Sequence, residues 1–98
     1  MWYNYNMTRR KEPQRNLMKI GNIIRNHRLN LLLDNGREGF LSDRLEKGIL
    51  NDNSISLESL KNIENGYTMP SLPTLKLLAI ALEVDFFKLV EEIYDLIY

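Results

Sequence analysis

Apolar residues recur at helical spacing in five stretches of this chain, with turn formers between them. The first runs from Leu17 to about Leu33, where Leu17, Ile20, Ile24 and Leu31 form an inward stripe and Asn35-Gly36 reads as a stop. In the second, Phe40, Leu41, Leu45, Gly48 and Ile49 fit one helical face, but its entry has two readings. With Ser42 as cap and Asp43 as first-turn acid it runs to about Leu50; with Asn35-Gly36 as entry, Arg37 leads a longer helix through Ile49. Asn51-Asp52-Asn53-Ser54, all turn formers, follows. The third helix is short: Ser56 caps it, Leu57, Leu60 and Ile63 recur three apart, and Gly66 ends it in the left-handed conformation. Burying Leu60 and Ile63 turns Glu58, Ser59, Lys61 and Asn62 outward.

The last two stretches are more apolar. Ser71 caps the fourth helix and Pro73 sits in its first turn, where a missing N–H breaks no intrahelical bond. Its residues Leu72, Leu75, Leu77, Leu78, Ile80 and Leu82, with Ala79 and Ala81, predict a helix covered on several sides. Asp85 caps the fifth, in which Phe86, Phe87, Leu89, Val90, Ile93, Tyr94, Ile97 and Tyr98 exceed what one core-facing stripe requires. The pattern predicts an all-α, compact five-helix bundle.

Length and composition narrow this further. At 98 residues with 44% apolar content, the chain suits one small domain with one core. It has no cysteine, which excludes disulfides and thiolate metal sites, and one histidine, which cannot make a zinc site. No apolar run approaches the roughly 20 residues that span a bilayer, and Trp2, Tyr3, Asn4 and Tyr5 ahead of the arginines are not a signal peptide's apolar core. A cytoplasmic protein is expected. The formal net charge is zero, but it is unevenly spread. Residues 1–30 hold Arg9, Arg10, Lys11, Arg15, Lys19, Arg25 and Arg28 against Glu12 alone, a net +6 balanced by −6 in the remainder. Residues 1–16 show no periodicity and read as a flexible basic arm, a solvated tail being the plainer alternative. The leader ahead of Met18 reads either as a genuine arm or as the product of an upstream start. Residues 17–98 form the domain.

The run Ser56-Leu57-Glu58-Ser59-Leu60-Lys61-Asn62-Ile63-Glu64-Asn65-Gly66, followed by Met69-Pro70-Ser71-Leu72-Pro73-Thr74-Leu75, resembles the Cro and phage-repressor (XRE) type of helix-turn-helix protein. Ile20 to Arg28 is similar to that family's first helix, whereas Leu29 to Ser54 departs from it in length. The resemblance implies a lambda-repressor-like bundle that binds double-stranded DNA as a homodimeric transcriptional regulator, with no cofactor and no small-molecule ligand. It implies DNA contacts at Ser42, Arg44, Ser56, Leu57, Glu58, Ser59, Lys61, Asn62, Asn65 and Tyr67. Asn62 has the groups to pair with adenine, Glu58 to accept from a cytosine amino group, Ser59 to serve either base, and Lys61 to reach phosphate or guanine. Ser56, Asn65 and Tyr67 are placed to meet the sugar-phosphate chain. The family also pairs a late first-helix arginine with the glutamate of Ile-Glu-Asn-Gly, here Arg28 with Glu64. The surplus apolar surface of the fifth helix, Phe86, Phe87, Val90, Tyr94 and Ile97, is the expected dimer interface.

Catalytic chemistry has little support. His27 lies between Arg25 and Arg28 in a helix, and Glu91, Glu92 and Asp95 read as a solvated acidic face. Gly36 and Gly39 lack the strand and helix context of a phosphate loop. No enzyme and no metal site is expected. The rival function is a helix-turn-helix interaction module, of antitoxin or antagonist kind, whose acidic carboxyl-terminal half binds another protein.

Overall fold

The computed structural model describes residues 12–52 and 54–97. The basic run Arg9-Arg10-Lys11, the turn residue Asn53 and Tyr98 lie outside the described residues. Among the described residues five α-helices occur in chain order: α1 Arg15–Asn30, α2 Gly36–Glu46, α3 Leu57–Glu64, α4 Leu72–Leu82 and α5 Phe86–Ile93, with a 3₁₀ turn at Tyr94–Leu96. One core holds them, with Ile24, Leu78, Ala81, Leu89 and Ile93 fully closed from solvent. α1 packs against α3, α4 and α5, and α2 packs against α3.

Local chemistry explains the ends of the three carboxyl-terminal helices. Ser56 Oγ accepts from the Ser59 N–H at 3.0 Å, Ser71 Oγ from Thr74 N–H at 3.3 Å, and Asp85 Oδ1 from Lys88 N–H at 3.0 Å. Each cap satisfies a donor that the first turn leaves without an intrahelical partner. Gly66 follows α3 at φ +84°, where a side chain would be strained and would also strike Met18. The Gln14 N–H donates to the Gly66 carbonyl at 3.0 Å, so the entry to α1 is fastened to the exit of α3.

The structure departs from the sequence expectations in α1, α2, α4 and α5. α1 ends at Asn30 rather than near Leu33, since Leu32 turns the chain at φ +57°. Of the two readings of the α2 entry, the structure takes Asn35-Gly36; both residues are left-handed, at φ 68° and 61°, and Ser42 lies inside the helix. α2 then ends at Glu46, because Gly48 at φ +73° breaks it before Ile49. Its inward face consists of Phe40, Leu41 and Arg44, leaving Leu45 exposed. α4 is not covered all round, for Leu72 and Ile80 face solvent. α5 stops at Ile93, beyond which the 3₁₀ turn carries the chain to Ile97.

Candidate nucleic-acid interface

α3 is an eight-residue helix held from behind. Leu60 and Ile63 enter the core, and the following position, Glu64, is also buried. A lone carboxylate there would cost several kcal/mol (on the order of 3 to 5). It is not alone. Arg28 donates through Nε to Oε2 at 2.7 Å and through Nη2 to Oε1 at 2.9 Å, the two-pronged geometry that suits a guanidinium to a carboxylate. Arg28 and Glu64, the pair implied by the resemblance, thus meet in the interior. The approach of the helices is close enough that a Cβ on Gly21 would run into the backbone carbonyls of Ile63 and Glu64. Glycine in α1 therefore sets how near α3 can lie.

With Leu60, Ile63 and Glu64 turned inward, Glu58, Ser59 and Lys61 are exposed and Asn62 is half-buried. These four form the outward row that the sequence places there. Ser56 is exposed at the amino-terminal cap, while Asn65 and Tyr67 are half-buried after the helix. Leu57 packs partly against the core, so only part of its side chain can meet a ligand. Ser42 is exposed on α2, one turn from Glu38 and one from Glu46. Two like charges flanking it would oppose a phosphate there.

Arg44 is the correction among the expected DNA contacts. It is 2% exposed, with Nη1 donating to the Ala81 carbonyl at 3.1 Å and to Glu83 Oε2 at 2.6 Å, and Nη2 donating to Asp43. Its guanidinium carbon lies 6.0 Å from the Phe40 ring centroid. Burial works against the charge, but the bonds to Glu83 and Asp43 outweigh it and hold the pKa above the ordinary guanidinium value. The same bond from Arg44 holds the Asp43 carboxyl below its usual range, with Lys47 assisting against desolvation. Arg44 joins α2 to the end of α4, and its head is occupied within the protein.

Two residues absent from the sequence-derived site belong beside it. Arg25 donates through Nη2 to the Glu64 carbonyl at 3.1 Å and to Asn65 Oδ1 at 2.7 Å, covering a carbonyl at the end of α3. Arg37 donates through Nε to Glu64 Oε1 at 2.8 Å. The spacing of Arg25 and Arg28, three apart on one helix, was a signal that both face the same neighbour. Arg37 gave none, because its pairing depends on where α2 begins.

No group of His, Cys, Asp or Glu suited to a metal occurs among the described residues, and His27 Nε2 lies 2.7 Å from Glu92 Oε1, tying α1 to α5. No described helix is long and apolar enough to cross a membrane. Residues 50–89 match the helix-turn-helix family model HTH_3, a span that begins before α3 and ends in α5. The five-helix globule around it accords with the lambda-repressor-like fold. No curated protein and no solved structure matches the chain.

Proposed function

From a chain whose residues 50–89 are an XRE-type helix-turn-helix domain, a domain that implies DNA binding, we propose a sequence-specific transcriptional regulator. It acts in the cytoplasm as a repressor, occupying an operator as a homodimer and using neither a cofactor nor a small-molecule ligand. The observation that carries this reading is α3 itself. A short helix is locked from behind by a buried ion pair and presents Glu58, Ser59, Lys61 and Asn62 on its open side. Rigid support matters because base-edge hydrogen bonds discriminate only when the side chains arrive in register.

The test begins with selection of bound duplexes from a random library, which supplies the cognate sequence. Ser59→Ala and Asn62→Ala are then expected to cost about 1 to 3 kcal/mol on that duplex and little on scrambled DNA. An unchanged cognate-to-scrambled ratio removes α3 as the reading element. The rival, a module that binds protein through its carboxyl-terminal half, draws support from Phe87, which is 78% exposed beside Glu91. It predicts no salt-dependent retention on duplex DNA.

A further inference from the structure

The surroundings of Glu64 hold more positive charge than Glu64 can neutralise. Three guanidiniums, Arg25, Arg28 and Arg37, converge on this one carboxylate, and among the described residues no second carboxylate pairs with any of them. Arg28 alone already engages both carboxylate oxygens. Arg25 Nε stands 3.5 Å from Oε1, beyond a good hydrogen bond, so its principal bonds are to neutral acceptors: Asn22 Oδ1, the Glu64 carbonyl and Asn65 Oδ1. Arg37 also reaches Asn65 Oδ1, at 3.4 Å through Nη2. Two cationic heads therefore lie side by side over a single amide oxygen. The partial negative charge at the end of α3, roughly half an elementary charge, offsets only part of the surplus.

Solvent reaches this pair. The side chains of Arg25 and Arg37 are 28% and 24% exposed, against 9% for Arg28. Like charges held together at a surface favour an anion that can accept from both, and a phosphodiester offers two oxygens with the spread that guanidinium forks match. The place suits one. Asn65 follows α3 directly, and an eight-residue helix is about 12 Å long, close to the roughly 12 Å width of the major groove. If α3 lies in that groove, its end stands near a phosphate wall.

We propose that Arg25 and Arg37, side by side over Asn65 at the end of α3, clamp a backbone phosphodiester of the bound DNA through the donors that Glu64 leaves unused, while Arg28 holds both oxygens of that carboxylate. The clamp rests on the DNA-binding reading above and adds to it a contact that fixes position without reading sequence.

The test replaces Arg25 and Arg37 with Gln, singly and together, leaving Arg28 and Glu64 intact. Binding is measured across a salt series on cognate and scrambled duplexes. Each substitution is expected to weaken both duplexes alike and to lower the slope of log affinity against log salt by about one unit. Arg25→Lys and Arg37→Lys keep the charge without the fork, and are expected to retain most of the slope; a purely structural role would not show this rescue. Circular dichroism and urea unfolding confirm that each variant is folded at the temperature of the assay. Folded Gln variants with the wild-type slope overturn the clamp and leave the DNA-binding reading standing. A wild-type chain that no duplex retains overturns both together.

Discussion

Glu64 is the residue on which the seating of α3 depends, and its arrangement shows why. Its carboxylate is closed from solvent and supplied by three arginines, so removing its charge leaves those cations facing a neutral group in a partly dry site. Glu64→Gln preserves shape and takes away only the charge. We expect it to cost about 3 to 5 kcal/mol of folding stability, much of what a small domain possesses. Urea unfolding of the variant against wild type measures this, and a loss under about 1 kcal/mol would show the site to be open to water. The Arg28 to Glu64 pair was legible in the sequence because it sits in a motif. Arg37 was not, since its contact with Glu64 spans a segment where the chain departs from the family's lengths.

At the scale of elements, α3, α4 and α5 were legible because each begins with a capping side chain and shows its period plainly. α2 was not. Ser42-Asp43 has the chemistry of a helix start, but Asn35-Gly36 turns the chain earlier and swallows it. Hydrophobic periodicity also misplaced its face, since it favoured Leu45 where the structure buries Arg44. A buried arginine is invisible to an apolar pattern; its aliphatic stem packs like an apolar residue while its head finds Asp43, Glu83 and the Ala81 carbonyl. This clamp between α2 and α4 gives stability a dependence on pH. Asp43 has a depressed pKa in the folded chain, so its contribution is fully present above the ordinary carboxyl value. It is lost as pH falls through the depressed value, below about pH 4. Unfolding measured from neutral pH into that range should show wild type losing its advantage over Asp43→Asn as the acid is approached. A difference that stays constant with pH would mean that the carboxylate's charge contributes nothing.

At the scale of the whole molecule, α5 is the element that bears on the proposed homodimer. Leu89 and Ile93 are closed within the core, which leaves Phe87, Val90 and Tyr94 at spacings of three and four along the opposite side. Phe87 is 78% exposed and Tyr94 68%, with Ile97 following on the 3₁₀ turn, whereas Phe86 turns partly toward the core. One exposed aromatic pair buries too little for a strong contact, because a stable interface removes on the order of 1,200 to 2,000 Å² in total. We therefore expect the proposed homodimer to be weak in free solution and to be completed on DNA. Its size fits that role: the molecule measures 39 × 24 × 20 Å, and two copies side by side can place their third helices near the roughly 34 Å repeat that separates successive major-groove faces. Phe87→Asp puts a charge on this surface without touching the core. We expect it to remain folded, to sediment as a monomer at concentrations where wild type associates, and to bind a single half-site as wild type does. Cooperative binding to a duplex carrying two half-sites should be lost. Sedimentation equilibrium of wild type at tens of micromolar, followed by titration of one-site and two-site duplexes with both proteins, gives the answer. If wild type is monomeric in solution and also binds the two half-sites independently, α5 is not an interface between copies.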